Sequence, residues 1–146
     1  MHCAQPDRST KLIQPTAVTV PRVAVLLQQI QKMPARRLAQ TIKLKPEYVE
    51  EYIKIHAAVW PSVLERIAKC NIHDYSIFYD EKSGILFASF KYTGDNYEAD
   101  MQQMKDDPET LRWWEVTDKM QESQDGGKSS KEGQWWRELK EVFYVQ

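Results

Sequence analysis

Tyr52, His56 and Trp60 stand four residues apart in the run Tyr52-Ile53-Lys54-Ile55-His56-Ala57-Ala58-Val59-Trp60, so in a straight helix they share one face. A phenol beside an imidazole gives two groups that pass protons, one of them titrating near neutral pH. The same spacing would equally serve to fill the space between a helix and a sheet, since buried aromatics mostly pack. Farther along, Arg112-Trp113-Trp114 sets two indoles about 100° apart on a helix, too wide for one narrow apolar stripe. One indole is then spare for a ligand, and its face suits the C–H face of a sugar or another flat apolar patch. A subunit interface would use it just as well. Trp135-Trp136 carries the same two readings. Tyr75 completes the set, on the strand face it shares with Ile77 and Tyr79.

Other chemistries have no footing. The sequence contains no G-x-G-x-x-G and no G-x-x-x-x-G-K-[ST] to cradle nucleotide phosphates, and no G-x-S-x-G elbow for a serine nucleophile. Three scattered histidines (His2, His56, His73), with no H-E-x-x-H, argue against a metal site. Cys70 reads as a small packing residue, and with Cys3 it makes neither a disulfide framework nor a C-x-x-C pair. The 146 residues carry 20 Lys+Arg against 21 Asp+Glu, a net charge of −1 that does not fit a nucleic-acid-binding surface. Leu12–Gln31 is interrupted by Pro15, Arg22 and Pro21, so it does not read as a membrane span. A soluble protein of a reducing compartment, the cytoplasm, is expected.

The charge is unevenly spread. Residues 1–45 hold eight basic residues and one acid, Asp7, whereas residues 46–146 hold 12 basic and 20 acidic. Four of the seven prolines fall within residues 1–35. That acid-poor, proline-broken stretch reads as a disordered or targeting extension, the latter implying a mitochondrial destination. Residues 36–146 read as one folded domain.

Within that domain, Arg36–Leu44 places Leu38, Ile42 and Leu44 on one parity, with Gln40 intruding, as a half-buried strand does. Pro46 opens a helix at a position where its missing N–H costs nothing. Helical spacing then runs from Val49 to Ile67, and Trp60-Pro61 must bend or restart it. His73–Tyr79 and Ile85–Tyr92, joined by the turn Asp80-Glu81-Lys82-Ser83-Gly84, form a hairpin. Asn96–Asp107 and Pro108–Gln121 are two helices, Gln121–Gly133 a polar loop, and Glu138–Val145 a closing strand. The order β-α-β-β-α-β is the α+β, ferredoxin-like split βαβ plan with an antiparallel sheet. Helices on one sheet face leave the other uncovered, and a homodimer that packs two such sheets together would bury it, the dimeric α+β barrel arrangement.

Four blocks in register, Glu51-Tyr52-x-x-x-His56-x-x-Val59-Trp60-Pro61, Tyr75-Ser76-Ile77-Phe78-Tyr79-Asp80, Arg112-Trp113-Trp114 and Glu141-Val142-Phe143-Tyr144, together resemble the L-rhamnose mutarotase family. The resemblance covers about residues 36–146. It implies a small ferredoxin-like homodimer that interconverts the α and β anomers of L-rhamnose, or a related 6-deoxy sugar, without a cofactor. It also implies that the family's proton donor falls on His56, its sugar-contacting tyrosines on Tyr52 and Tyr75, and its paired tryptophans on Trp113 and Trp114. Tyr52 would share the proton path with His56. The chain departs from the family in its N-terminal extension, in the loop Gln121–Gly133 and in Ala57-Ala58. Two other functions suit the same architecture: a haem or quinol monooxygenase, with His56 as axial ligand, and a non-catalytic sugar-binding or stress-response dimer.

Overall fold

The structure, a computed structural model, describes residues 35–145. The extension expected over residues 1–35 therefore lies, but for Ala35, outside the described residues.

Strand β1 (Arg36–Leu44) forms as its alternation requires: Ile42 and Leu44 are buried while Lys43 between them is exposed. A 3₁₀ turn at Pro46–Tyr48 leads into α1 (Val49–His56). Trp60, next to Pro61, takes extended backbone (ψ 132°), so α1 stops at His56 and α2 (Pro61–Lys69) starts afresh. Trp60 thus leaves the helix that a straight Tyr52-His56-Trp60 face would need. Strands β2 (Ile72–Asp80) and β3 (Ile85–Tyr92) pair as the expected hairpin. Its turn closes through Gly84, at φ 68°, a conformation open to glycine at no steric cost.

Helices α3 (Tyr97–Asp106) and α4 (Pro108–Met120) each start on a side-chain cap. Asn96 accepts from the Ala99 N–H at 3.1 Å, and Asp107 from the Thr110 N–H at 2.9 Å. The sheet order is β2-β3-β1-β4, antiparallel throughout, the strand order of a ferredoxin-like fold. Its fourth position is shared by two short pieces, β4 (Gln121–Glu122) on Lys43–Leu44 and β5 (Arg137–Leu139) on Ala39–Thr41.

Here the structure corrects the sequence reading. The loop expected from Gln121 begins with strand β4, and the closing strand expected over Glu138–Val145 is paired only as far as Leu139. The physical reason is visible in the exposure of the remainder: Val142 is 90 % and Phe143 80 % exposed. Apolar residues on both parities suit a strand covered on both faces, and the described residues offer no second cover.

The helices pack on one face of the sheet in two clusters. Ile42, Leu44, Tyr52, Leu86, Met120 and Trp135 form one, and Cys70, Ile72, Phe90 and Met104 the other. The opposite face leaves Phe78 and Phe87 exposed. Among the described residues no helix is long and apolar enough to cross a membrane.

Candidate active site

A cavity of about 720 Å³ opens between the helices and the inner sheet face, with walls drawn from both clusters. His56, Tyr75, Trp113 and Trp114 line it, as do Trp135 and Trp136. Tyr52 does not: it is buried, 4 % exposed, behind His56.

His56 is the last residue of α1, and its Nδ1 meets the carbonyl of Tyr52, one turn back, at 2.8 Å. A carbonyl oxygen only accepts, so Nδ1 carries the hydrogen and neutral His56 keeps its lone pair on Nε2. Nε2 makes no hydrogen bond among the described residues. The Tyr52 ring stacks on the imidazole, centroids 4.0 Å apart, and Trp113 meets it edge-on at 5.3 Å. Trp60, though outside α1, returns to the same point, its ring 5.3 Å from Trp113.

Desolvation lowers the pKa of His56, an effect only partly offset by the hydrogen bond to the Tyr52 carbonyl. At neutral pH the group is therefore an unprotonated base. Desolvation raises the pKa of Tyr52, and so does nearby Tyr75, while a hydrogen bond from Gln121 works the other way. Tyr75 exposes 43 % of its surface, yet desolvation of its phenol, with a contribution from Tyr97, pushes its pKa up to about 12. Both phenols are thus neutral hydrogen-bonding groups, not phenolates.

Tyr75 reaches the cavity through a β-bulge. His73 pairs with Lys91 and Ser76 with Ser89, so Asp74 and Tyr75 together oppose the single residue Phe90. Asp74, at φ 49°, takes the left-handed conformation that Asp tolerates better than most residues. The extra residue lets Ile72 and Tyr75 both face inward, and the Tyr75 ring packs 5.3 Å from Phe90.

A family model described as L-rhamnose mutarotase matches residues 37–145. This chain belongs to the L-rhamnose mutarotase family. The L-rhamnose mutarotase of Flavobacterium johnsoniae is 33 % identical over 112 residues, covering 76 % of this chain and 96 % of that protein. That of Phocaeicola vulgatus is 38 % identical over 80 residues, 55 % of this chain and 74 % of that one. The crystal structure of an L-rhamnose mutarotase from Formosa agariphila superposes with a TM-score of 0.61 at 25 % identity, covering 76 % of this chain and 99 % of the other. These relatives favour neither a haem or quinol monooxygenase nor a non-catalytic dimer.

In this mutarotase-family chain the structure also brings in residues that the sequence did not single out for the site. Gln40, the polar residue that breaks the apolar parity of β1, lines the cavity, and that break was its signal. Glu138 lines it too. Gln121, 3 % exposed, donates to the Tyr52 hydroxyl at 3.3 Å and accepts from the Trp135 indole N–H at 3.1 Å. Nothing in the polar stretch around Gln121 signals that burial. Among the described residues no group of His, Cys, Asp and Glu is arranged to hold a metal ion.

Proposed function

We propose that this protein interconverts the α and β anomers of L-rhamnose, with His56 as the proton carrier. The observation that carries the reading is the His56 tautomer: Nδ1 is engaged by the Tyr52 carbonyl, so Nε2 is the basic nitrogen left on a residue that lines an aromatic cavity.

Mutarotation needs one proton moved between two oxygens that share C1. Neutral Nε2 takes the proton of the C1 hydroxyl. The imidazolium then donates it to the ring oxygen as the bond from C1 to that oxygen breaks and the C1 carbonyl forms. The open aldehyde turns about its C1–C2 bond, and the same steps run backwards on the opposite face, returning His56 to neutrality. Desolvation supports the neutral resting form, and the carbonyl of Tyr52 stabilises the transient cation.

Trp113 and Trp114 would hold the pyranose by stacking, and Tyr75 by its hydroxyl, while apolar residues such as Val59, Ile67 and Ile72 offer room for the C5 methyl. Positioned acid–base catalysis of this kind supplies about 10³–10⁵-fold, some 4–7 kcal/mol. We further propose that the protein works as a homodimer through the sheet face bearing Phe78 and Phe87, with the apolar stretch Val142–Val145 covering part of the partner.

The test is NMR saturation transfer between the two C1 protons of L-rhamnose. Wild type is expected to transfer saturation, and His56→Ala to lose about 10²–10⁴-fold of the exchange rate. A wild type that leaves L-rhamnose at its spontaneous rate overturns the reading.

A further inference from the structure

Two polar side chains on the sheet wall of the cavity have no part in the mechanism above. Gln40 of β1 pairs with Glu138 of β5, so the two stand side by side on one sheet face, and both line the cavity. Thr41 and Arg137, the next pair along the same strands, are already engaged. Thr41 donates to Gln124 at 2.8 Å and Arg137 to Asp125 at 2.6 Å. Gln40 and Glu138 engage no other side chain among the described residues. Gln40 is half-buried in a wall otherwise made by Ile72, Tyr75, Ile77 and Phe90, while Glu138 keeps contact with solvent. An apolar side chain at position 40 would continue the parity of Leu38 and Ile42 and gain burial that an amide forgoes. Packing therefore does not explain Gln40, and a polar ligand does.

The shape of a pyranose says which part of it would meet this wall. In the six-membered ring, the bond opposite the one from C1 to the ring oxygen is C3–C4. His56 belongs to the helical wall and Gln40 and Glu138 to the sheet. A sugar that turns C1 and its ring oxygen to His56 turns its C3 and C4 hydroxyls to the sheet. We propose that Glu138 and Gln40 bind these two neighbouring hydroxyls. The carboxylate of Glu138 accepts from both, and the Gln40 amide, which donates as well as accepts, completes the bonding of one. This rests on the mutarotase reading and adds two substrate-binding residues to it. Neither hydroxyl changes when the ring opens, so the grip lasts through the open-chain state and leaves C1 free to turn about C1–C2.

The experiment crosses protein variants with sugars that lack one hydroxyl, reading anomeric exchange by NMR. Glu138→Gln keeps the shape and removes the charge; Gln40→Leu restores the apolar parity of β1. On L-rhamnose, Glu138→Gln is expected to lower kcat/KM about 10-fold, chiefly through KM, and Gln40→Leu about 3–10-fold. The urea midpoint of Gln40→Leu is expected to be unchanged or higher. On 3-deoxy- or 4-deoxy-L-rhamnose the Glu138→Gln loss shrinks to about 3-fold or less, and on 2-deoxy-L-rhamnose it stays at about 10-fold. An equal loss on all four sugars, a loss in kcat alone, or no loss overturns the assignment and leaves the mutarotase reading intact. A loss that shrinks on the 2-deoxy sugar instead also overturns it. If wild type binds L-rhamnose without speeding exchange, the mutarotase reading falls, and affinities across the same variants and sugars decide the assignment by the same pattern. Wild type that neither binds nor exchanges L-rhamnose overturns both.

Discussion

The imidazole of His56 donates through Nδ1 to the carbonyl oxygen of Tyr52 at 2.8 Å, and the ring of the same tyrosine lies against it with centroids 4.0 Å apart. One residue, a single helical turn back, thus sets both the tautomer and the plane of the group that would carry the proton. The contact is made where α1 ends, and the helix ends there because Trp60-Pro61 forces extended backbone shortly after.

The acid limb of the exchange rate follows from the desolvation of His56. Its folded pKa is lowered, so the neutral form proposed to accept the C1 hydroxyl proton persists below the ordinary imidazole value of about 6.5. We expect kcat/KM to stay level as pH falls through that value and to decline only at more acid pH. Unfolding releases the group to its ordinary pKa, so the unfolded chain binds more protons across this window. His56 therefore contributes stability that is full above the unfolded pKa and is lost as pH falls through the folded one. A pH–rate profile together with a proton NMR titration of the His56 ring checks both, and a midpoint at or above the ordinary value contradicts them.

The two adjacent tryptophans separate by burial. Trp113 is 7 % exposed and meets both His56 and Trp60, so Trp113→Ala should cost about 3–5 kcal/mol in urea unfolding. Trp114 is only half-buried, against the cluster of Cys70, Ile72, Phe90 and Met104. Trp114→Ala should cost less stability and show itself chiefly as a raised KM. Equal stability losses would contradict the division.

Asp107 joins a helix cap to an ion pair. It accepts from the Thr110 N–H at 2.9 Å, the Thr110 hydroxyl at 2.8 Å and the Arg66 guanidinium at 2.9 Å. Asp107→Ala removes the cap, worth about 1–2 kcal/mol, and strands Arg66, whose Nε is already buried without a hydrogen-bond partner among the described residues. Asp107→Asn retains a cap acceptor and should recover most of that loss. Urea midpoints for the pair of variants measure it.

The exposed sheet face predicts association. Phe78 and Phe87 are 61 % and 37 % exposed, with ring centroids 6.3 Å apart. Sedimentation equilibrium should give twice the chain mass for wild type, and Phe78→Glu with Phe87→Glu should shift it to the monomer, because two carboxylates would have to be desolvated in the interface. A wild-type monomer at micromolar concentration excludes this face as an interface.

Much of this architecture is legible in the chain itself. The alternation in β1 and β3, the Asp80–Gly84 turn and the break at Trp60-Pro61 are local signals, and each appears where its residues require it. The four blocks that resemble the family lead to His56, Tyr75, Trp113 and Trp114, which do line one cavity. What escapes is non-local. Gln121 is buried only because Trp135 and Tyr52 reach it from 14 and 69 residues away. Val142–Val145 has a strand's composition without a pairing partner among the described residues, so periodicity alone over-extends β5.

The bulge in β2 bears on how the chain tolerates changes in length. In a two-residue repeat, loss of any one residue turns every side chain on one side of the cut to the opposite face. Between His73 and Ser76 the opposite holds, because two residues already stand where the partner strand has one. Removing Asp74 would leave a regular ladder with Ile72 and Tyr75 still turned inward. Removing Ser76 or Ile77 would instead carry apolar side chains out of the cavity wall. A deletion scan along β2 should therefore spare Asp74, and that site adjoins Tyr75, the tyrosine of β2 that lines the cavity beside Ile77.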